Sequence, residues 1–423
     1  MLTSAMTIGT VKFCLKSRLK RACLSVARAG LLGIALLAQP AAAQVGPLHP
    51  FELRLLSANT WDANVFRLPA SAPDPQLAQG HAGKADRYNA LTLGLRFDKS
   101  YAQQHFLVDL SRTETHYDKF NSLDRNSLSK RAQWDWRLGS RLSGVLSTDR
   151  YESVVGFEDT AGTQQIVTST TNRNFSADWW MTGGWHLLAG LSELERKNSA
   201  SFAASPSTSQ TGGNLGLRYM ANSGNTVTFA TRSNRGTNSG QVVDLVNFID
   251  SGFTMREAEL NGTWIASAAS TLNARLTRIE RRHEHVPQRD FSRYAGELGY
   301  AWTPTGKLSF NAFARRNVVP WTADTNASFR VDDTLSFAPS WQIASHTTLR
   351  MSASRLTNSF LGPVIPIGPS RRDVTRSLLV GADWLPHRSV TLSASWRRDH
   401  RSSTDAAFQF DDTVVTVNAA LKF

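Results

Sequence analysis

Along most of the chain apolar and polar residues alternate one by one, the period of a β-strand with one apolar face and one wet face. Leu91, Leu93, Leu95 and Phe97 form one such run, Ala132, Trp134, Trp136 and Leu138 another, and Val390, Leu392, Ala394 and Trp396 a third. Between them sit polar residues such as Arg131, Gln133, Asp135 and Arg137. Eighteen segments of this kind begin near residues 51, 87, 103, 127, 141, 171, 184, 211, 224, 252, 270, 291, 307, 329, 346, 374, 388 and 410. Most run ten to fourteen residues, and a tilted strand needs roughly 9–11 to cross a bilayer.

The connections between the segments alternate in length. The short ones are DKSYAQ (98–103), LGSR, TGG, ANSGN, SAAS, TPTG, QIAS and LPHR, and the long ones include 61–87, 150–171, 197–211, 236–252 and 356–374. A soluble sandwich has no reason to alternate this way, whereas an outer-membrane barrel has tight periplasmic turns and longer outside loops. Six of the eight short turns carry a nearby Trp (Trp136; Trp179, Trp180 and Trp185; Trp264; Trp302; Trp341; Trp384), and the other two have Tyr101 and Tyr219. Amphipathic rings favour the membrane–water boundary, so these predict a girdle on the periplasmic rim. The fold expected is all-β: a transmembrane antiparallel up-and-down β-barrel of about 18 strands (16–18), integral to the outer membrane of a Gram-negative cell. Closure satisfies every backbone group where lipid offers no partner.

The first 43 residues break the pattern. Six basic residues precede or flank the apolar run AGLLGIALLA (29–38), and AAAQ follows at 41–44. This is the layout of a secretory signal peptide, so the expected division is a signal peptide over 1–43 and a barrel over 44–423. Cleavage would remove six of the 47 Lys and Arg and both cysteines, Cys14 and Cys23, leaving 41 basic residues against 34 acidic ones. A cysteine-free exported chain excludes disulfide scaffolds, thiol catalysis and Cys-ligated zinc, and export argues against a nucleic-acid partner.

Alternation sends twelve arginines toward the lumen, among them Arg54, Arg96, Arg218 and Arg350, against eleven acids, among them Asp98, Asp109, Asp178 and Asp383. These are either ion pairs stiffening a wet barrel or a mixed-charge constriction. The excess basic charge lies in the second half: residues 251–423 hold 21 basic and 15 acidic residues. It gathers at expected outer strand ends, at Arg281, Arg282, Arg289, Arg293, Arg315, Arg316, Arg371, Arg372, Arg397 and Arg398. Guanidinium forks suit phosphate and carboxylate, so a basic mouth is expected to meet lipopolysaccharide phosphate or an anionic polysaccharide. His283 and His285 flank Glu284 at the spacing of one strand face, but with no third ligand in sight no metal or other cofactor is expected. No nucleophile elbow is present, and no enzymatic activity is expected. The apolar content of QVVDLVNFID (241–250) makes the 236–252 loop a candidate plug or, equally, an extension of its strand. At the C-terminus, Val415, Val417, Ala419, Leu421 and Phe423 alternate with polar residues, and the terminal Phe423 looks like the signal read by the outer-membrane assembly machinery.

After the first strand comes NTWDANVFRLP (59–69), then a loop rich in Pro, Ala and Asp over 70–86. A signal peptide, a short first strand, this D-x-N-x-FR-L-P element and a train of strands ending on Phe resemble the EpsL-like family. Those are outer-membrane proteins of exopolysaccharide loci, many associated with exosortase systems. The resemblance implies a channel or scaffold in polysaccharide export, working beside other proteins of the locus. In the element, Asp62 and Asn64 would hold the turn through backbone bonds, Phe66 would plug into the wall, and Arg67 would face the polymer path; alternatively all four hold the first strand against its closing partner. The other functional reading is a general or anion-preferring porin for small solutes.

Overall fold

The computed structural model describes residues 50–75, 83–160, 162–200, 206–322, 325–365 and 370–423. The expected signal peptide lies outside them. Alternation becomes eighteen strands in one antiparallel sheet closed by pairing of the first with the last. The first six are β1 (Phe51–Asp62), β2 (Asp86–Tyr101), β3 (Gln104–Tyr117), β4 (Arg125–Leu138), β5 (Leu142–Val154) and β6 (Val167–Thr182). Next come β7 (Trp185–Asn198), β8 (Ser207–Met220), β9 (Thr226–Ser239), β10 (Gly252–Ser267), β11 (Ser270–His283) and β12 (Phe291–Thr305). The ring is completed by β13 (Leu308–Pro320), β14 (Phe329–Ala344), β15 (Thr347–Leu361), β16 (Arg372–His387), β17 (Val390–Ser403) and β18 (Phe410–Lys422). One helical turn, α1 (Phe157–Thr160), lies in the loop between β5 and β6.

The largest departures from the expected starts are at β6 and β8, which begin four residues early, at Val167 and Ser207 rather than 171 and 211. Their opening residues, VTSTT and STSQ, are largely polar on both faces, so no alternation marks them even though the backbone pairs. The expected turn 98–103 shrinks to residues 102–103, because Tyr101 still pairs with Gln104. At the tightest turns the backbone needs left-handed conformations: Gly183 and Gly184 have φ of 56° and 86°, a region glycine enters freely. Either residue with a side chain would strain this turn.

The outward face is apolar and without protein partners; Leu191 and Leu215 are 64% and 63% exposed. In water such a surface would be untenable at this extent, and in a bilayer it is the lipid contact. Trp179, Trp185, Trp264, Trp302, Trp341 and Trp384 are all exposed beside the tight turns, as a boundary girdle requires. Phe423 is exposed and its backbone exchanges hydrogen bonds with Leu53 on β1.

Buried apolar residues gather at the other rim, in small clusters built from strand ends and loops. One has an unusual origin. Pairing of β12 with β13 extends only to Gly296 and Arg316, leaving the first residues of β12 and the last of β13 apart at the outer rim, while β13 and β14 stay paired as far as Pro320 and Phe329. There Val318, Phe329 and Val331 pack on Ile279 and Phe291. The first three belong to the outward-facing alternation of β13 and β14, the last two to the inward-facing alternation of β11 and β12. Contact between opposite faces requires the end of the β13–β14 hairpin to lie inside the ring.

Candidate functional site: a loop-crossed lumen

The inward faces carry ion pairs, most of them between strands. Arg54 meets Asp109 at 2.5 Å, Arg96 meets Asp98 at 2.6 Å, Arg232 meets Glu257 at 2.6 Å, and Arg218 pairs with Asp178. Glu297 serves both Arg275, at 3.3 Å, and Arg315, at 2.7 Å. His105 bridges Asp98 and Asp135, each at 2.8 Å. The alternation that places these charges inward also sets each beside a neighbour two strands' width or less away, so the lumen wall is wet, mixed in sign and largely self-neutralised.

At the outer end the bore is crossed. Three neighbouring loops pack together through Val65, Phe66, Phe120 and Leu123, with Phe157 of α1 against them; the Phe66 ring lies 4.7 Å from Phe120 and 5.0 Å from Phe157, both edge-on. From there α1 reaches far wall strands. Arg330 on β14 donates to Asp159 at 3.1 Å, and Arg401 on β17 donates to the Glu158 carbonyl at 3.0 Å. In a ring of eighteen, β14 stands nine places from β5, diametrically opposite. The two meet within the mouth, α1 entering from one side and the infolded end of the β13–β14 hairpin from the other. Asp332 holds Arg330 at 2.7 Å, and Asp373, fully buried, holds Arg401 and also Arg371. These anchors are therefore charge-assisted and pre-positioned.

The expected plug loop does not have this role. Residues 240–251 are pinned sideways onto the 284–290 loop: Asp250 accepts from the backbone N–H groups of His285, at 2.6 Å, and Val286, at 2.9 Å, and from the His285 ring. Burial opposes the charge on Asp250, yet these bonds, with one from the Gly252 N–H, hold its pKa down at about 2. The apolar side chains of Val242 and Val246 point into solvent. His283 and His285 also part company, one bonded to Asp290 and the other to Asp250, so they form no joint ligand pair. No cluster of three metal-ligating side chains occurs among the described residues.

Of the ten arginines expected to form one basic mouth, eight divide between two faces and two, Arg289 and Arg371, lie outside the strands. Odd-numbered Arg281, Arg293, Arg315 and Arg397 lie on inward alternations, while Arg282, Arg316, Arg372 and Arg398 lie on outward ones. Arg281 is 6% exposed and stacks over Phe253 at 3.4 Å. Arg289, 3% exposed, is a clamp: it donates to the carbonyls of Phe248, Trp321 and Ala327 at 2.7, 3.2 and 3.0 Å. Arg293 stacks over Phe329, and Arg371 lies between the Phe360 and Phe408 rings. Arg282, Arg316 and Arg397 pair with Glu280, Asp333 and Asp399. Arg293, Arg372 and Arg398 stand exposed with no acid partner among the described residues.

The 59–69 element forms the closing seam. Arg67, at φ 56°, bonds Asp62 on β1 at 2.9 Å and Asp412 on β18 at 3.0 Å. Burial disfavours its charge, but the two carboxylates raise its pKa well above the ordinary arginine value. Asn64 donates to the Leu68 and Asp411 carbonyls at 2.8 and 3.1 Å, and Asp62 accepts from the Asn64 N–H at 2.9 Å. Asp62 and Asn64 thus hold the turn. Phe66 packs on loop aromatics rather than into the wall, and Arg67 is sequestered rather than facing a path, because two buried carboxylates compete for it. Asp159, Arg330 and Asp373 were not singled out in the sequence; their only signal is an acid or arginine at an outer strand end or loop.

No protein-family model and no curated protein matches the chain. Among solved structures it is similar to OccK2 (OpdF) of Pseudomonas aeruginosa, with TM-score 0.50 and 12% identity over 88% of this chain and 98% of that one. A BenF-like porin from Pseudomonas fluorescens Pf-5 has TM-score 0.49 and 12% identity over 88% and 99% of the two chains. Acinetobacter baumannii OccAB3 has TM-score 0.49 and 9% identity over the same shares. The likeness to OccK2 is one of fold. Closed ring, apolar belt and wet interior define an integral outer-membrane β-barrel of porin-like architecture.

Proposed function

We propose that the protein is a general or anion-preferring diffusion channel for small solutes, the second of the two readings that the sequence raises. The observation that carries it is α1 anchored across the mouth on Arg330 and Arg401. A polymer conduit needs a clear bore, whereas a narrowed path between fixed charges suits solutes of a few heavy atoms. The self-neutralised wall supports passage as well, since paired charges offer a solute many weak sites and no deep trap. With Asp62, Asn64, Phe66 and Arg67 engaged at the seam, a polymer route rests on the family resemblance alone.

Reconstitution of the full chain into planar bilayers and liposomes tests this. Stable stepwise conductance and entry of small solutes are expected, with larger oligosaccharides excluded. No conductance from correctly assembled protein, together with polysaccharide held in the envelope when the gene is deleted, would overturn the channel reading in favour of polymer export.

A further inference from the structure

The outer surface of the wall carries a groove of about 780 Å³ running across β6 to β11. Phe175, Leu191 and Leu215 wall one end, Gly213, Thr231 and Ala258 leave a low floor, and Arg256 and Arg278 stand at the other end beside Glu280. These positions belong to two adjacent cross-strand rows. One runs from Phe175 through Leu191, Gly213 and Ser233 to Arg256 and Glu280. They share the alternation of the exposed leucines, so the groove faces lipid; Arg232 and Glu257, on the opposite alternation, pair with each other in the lumen. The small residues make the depression: a Cβ at Gly213 would lie 3.3 Å from the Gly190 carbonyl oxygen.

Two features give the groove a direction and a ligand chemistry. Phe175 lies seven residues from the inner end of its strand at Thr182, and Arg256 lies eleven from the end of its own at Ser267. The basic end therefore stands nearer the outer rim than the apolar end. In addition, neither Arg256 nor Arg278 meets a carboxylate among the described residues, since Glu280 is held by Arg282 at 2.7 Å. An arginine on the lipid face costs about 2–4 kcal/mol at mid-bilayer and about 0–1 near the interface; leaving two of them unpaired calls for an anion from the membrane itself.

We infer that the groove seats the phosphorylated, multiply acylated glycolipid of the outer leaflet, lipopolysaccharide. Its phosphate sits between Arg256 and Arg278, where two guanidinium forks supply charge-assisted donors, and an acyl chain lies over Gly213 and Ala258 against Leu191 and Leu215. A phospholipid of the inner leaflet would present its headgroup to the wrong end. The inference is independent of what passes through the lumen.

The test uses the full chain purified in detergent, with binding of purified lipopolysaccharide measured by native mass spectrometry, and dephosphorylated lipopolysaccharide and phosphatidylglycerol as competing probes. Wild type is expected to retain one lipopolysaccharide. Arg256→Ala with Arg278→Ala should weaken retention at least about tenfold, whereas Arg112→Ala, another outward arginine, should not. Ala258→Leu, an apolar change that a lipid-facing wall tolerates, should weaken it without altering charge, and it keeps the test available if the double variant fails to assemble. Equal retention by the double variant or by Ala258→Leu, equal loss in Arg112→Ala, or equal competition by the dephosphorylated form or by phosphatidylglycerol would each overturn the assignment.

Discussion

The same residue type behaves oppositely on the two faces of one wall. Inside, Arg54, Arg96, Arg232 and Arg315 each meet a carboxylate no more than two strands away or two residues along their own strand. Outside, Arg256 and Arg278 have no such partner and border an apolar groove. The pleat explains the contrast. An inward arginine shares a confined, wet space with acids placed there by the same alternation, whereas outward acids are scarce and already taken. Inward arginines therefore sit in a self-neutralised wall, whereas Arg256 and Arg278, unlike the acid-paired outward Arg282 and Arg316, would find their counter-charge in the membrane.

The largest effect is expected where inner charge is buried. Arg67→Ala would strand Asp62 and Asp412 at the β1–β18 seam, and breaking a buried pair from one side costs about 3–5 kcal/mol. The loss would appear as a lowered unfolding midpoint in detergent. Arg398→Ala, on the outer face, should cost well under about 1 kcal/mol and barely move that midpoint; equal effects would erase the contrast.

A smaller effect separates the faces electrically. Glu297→Gln frees both Arg275 and Arg315 in the lumen, so the reversal potential in a salt gradient should shift toward anion preference. Arg278→Ala, behind the wall, should leave it in place. The smallest effect concerns pH. With its native pKa at about 2, below the ordinary value near 3.9, Asp250 contributes its docking of the 240–251 loop in full above about pH 4. That contribution is lost as pH falls through about 2. Protease cleavage within 240–251 should thus stay slow at pH 5 and rise only in strong acid; a rise already at pH 5 would mean that the Asp250 bonds do not hold the loop.

Most of the barrel was legible because its physics is local. Period two, strand length and the alternation of turn and loop follow from residues close in sequence, as Leu91 to Phe97 or Val390 to Trp396 show. The site was not, for two reasons. Arginines adjacent in sequence, such as Arg281 and Arg282 or Arg397 and Arg398, looked like one basic mouth, yet neighbours on a strand necessarily point to opposite faces. And the loop that crosses the mouth is set by partners far away: Asp159 meets Arg330, 171 residues on, through a single turn of helix whose FEDT sequence has no periodicity to read. The apolar 241–250 segment drew attention instead, although its position is decided by the polar Asp250.

The central claim is that α1, tethered to the far wall, narrows a working channel. Single-channel conductance of Arg330→Ala with Arg401→Ala, measured beside wild type in planar bilayers, tests it most directly. Release of the tether predicts a larger and noisier conductance from assembled barrels; a conductance indistinguishable from wild type would contradict it.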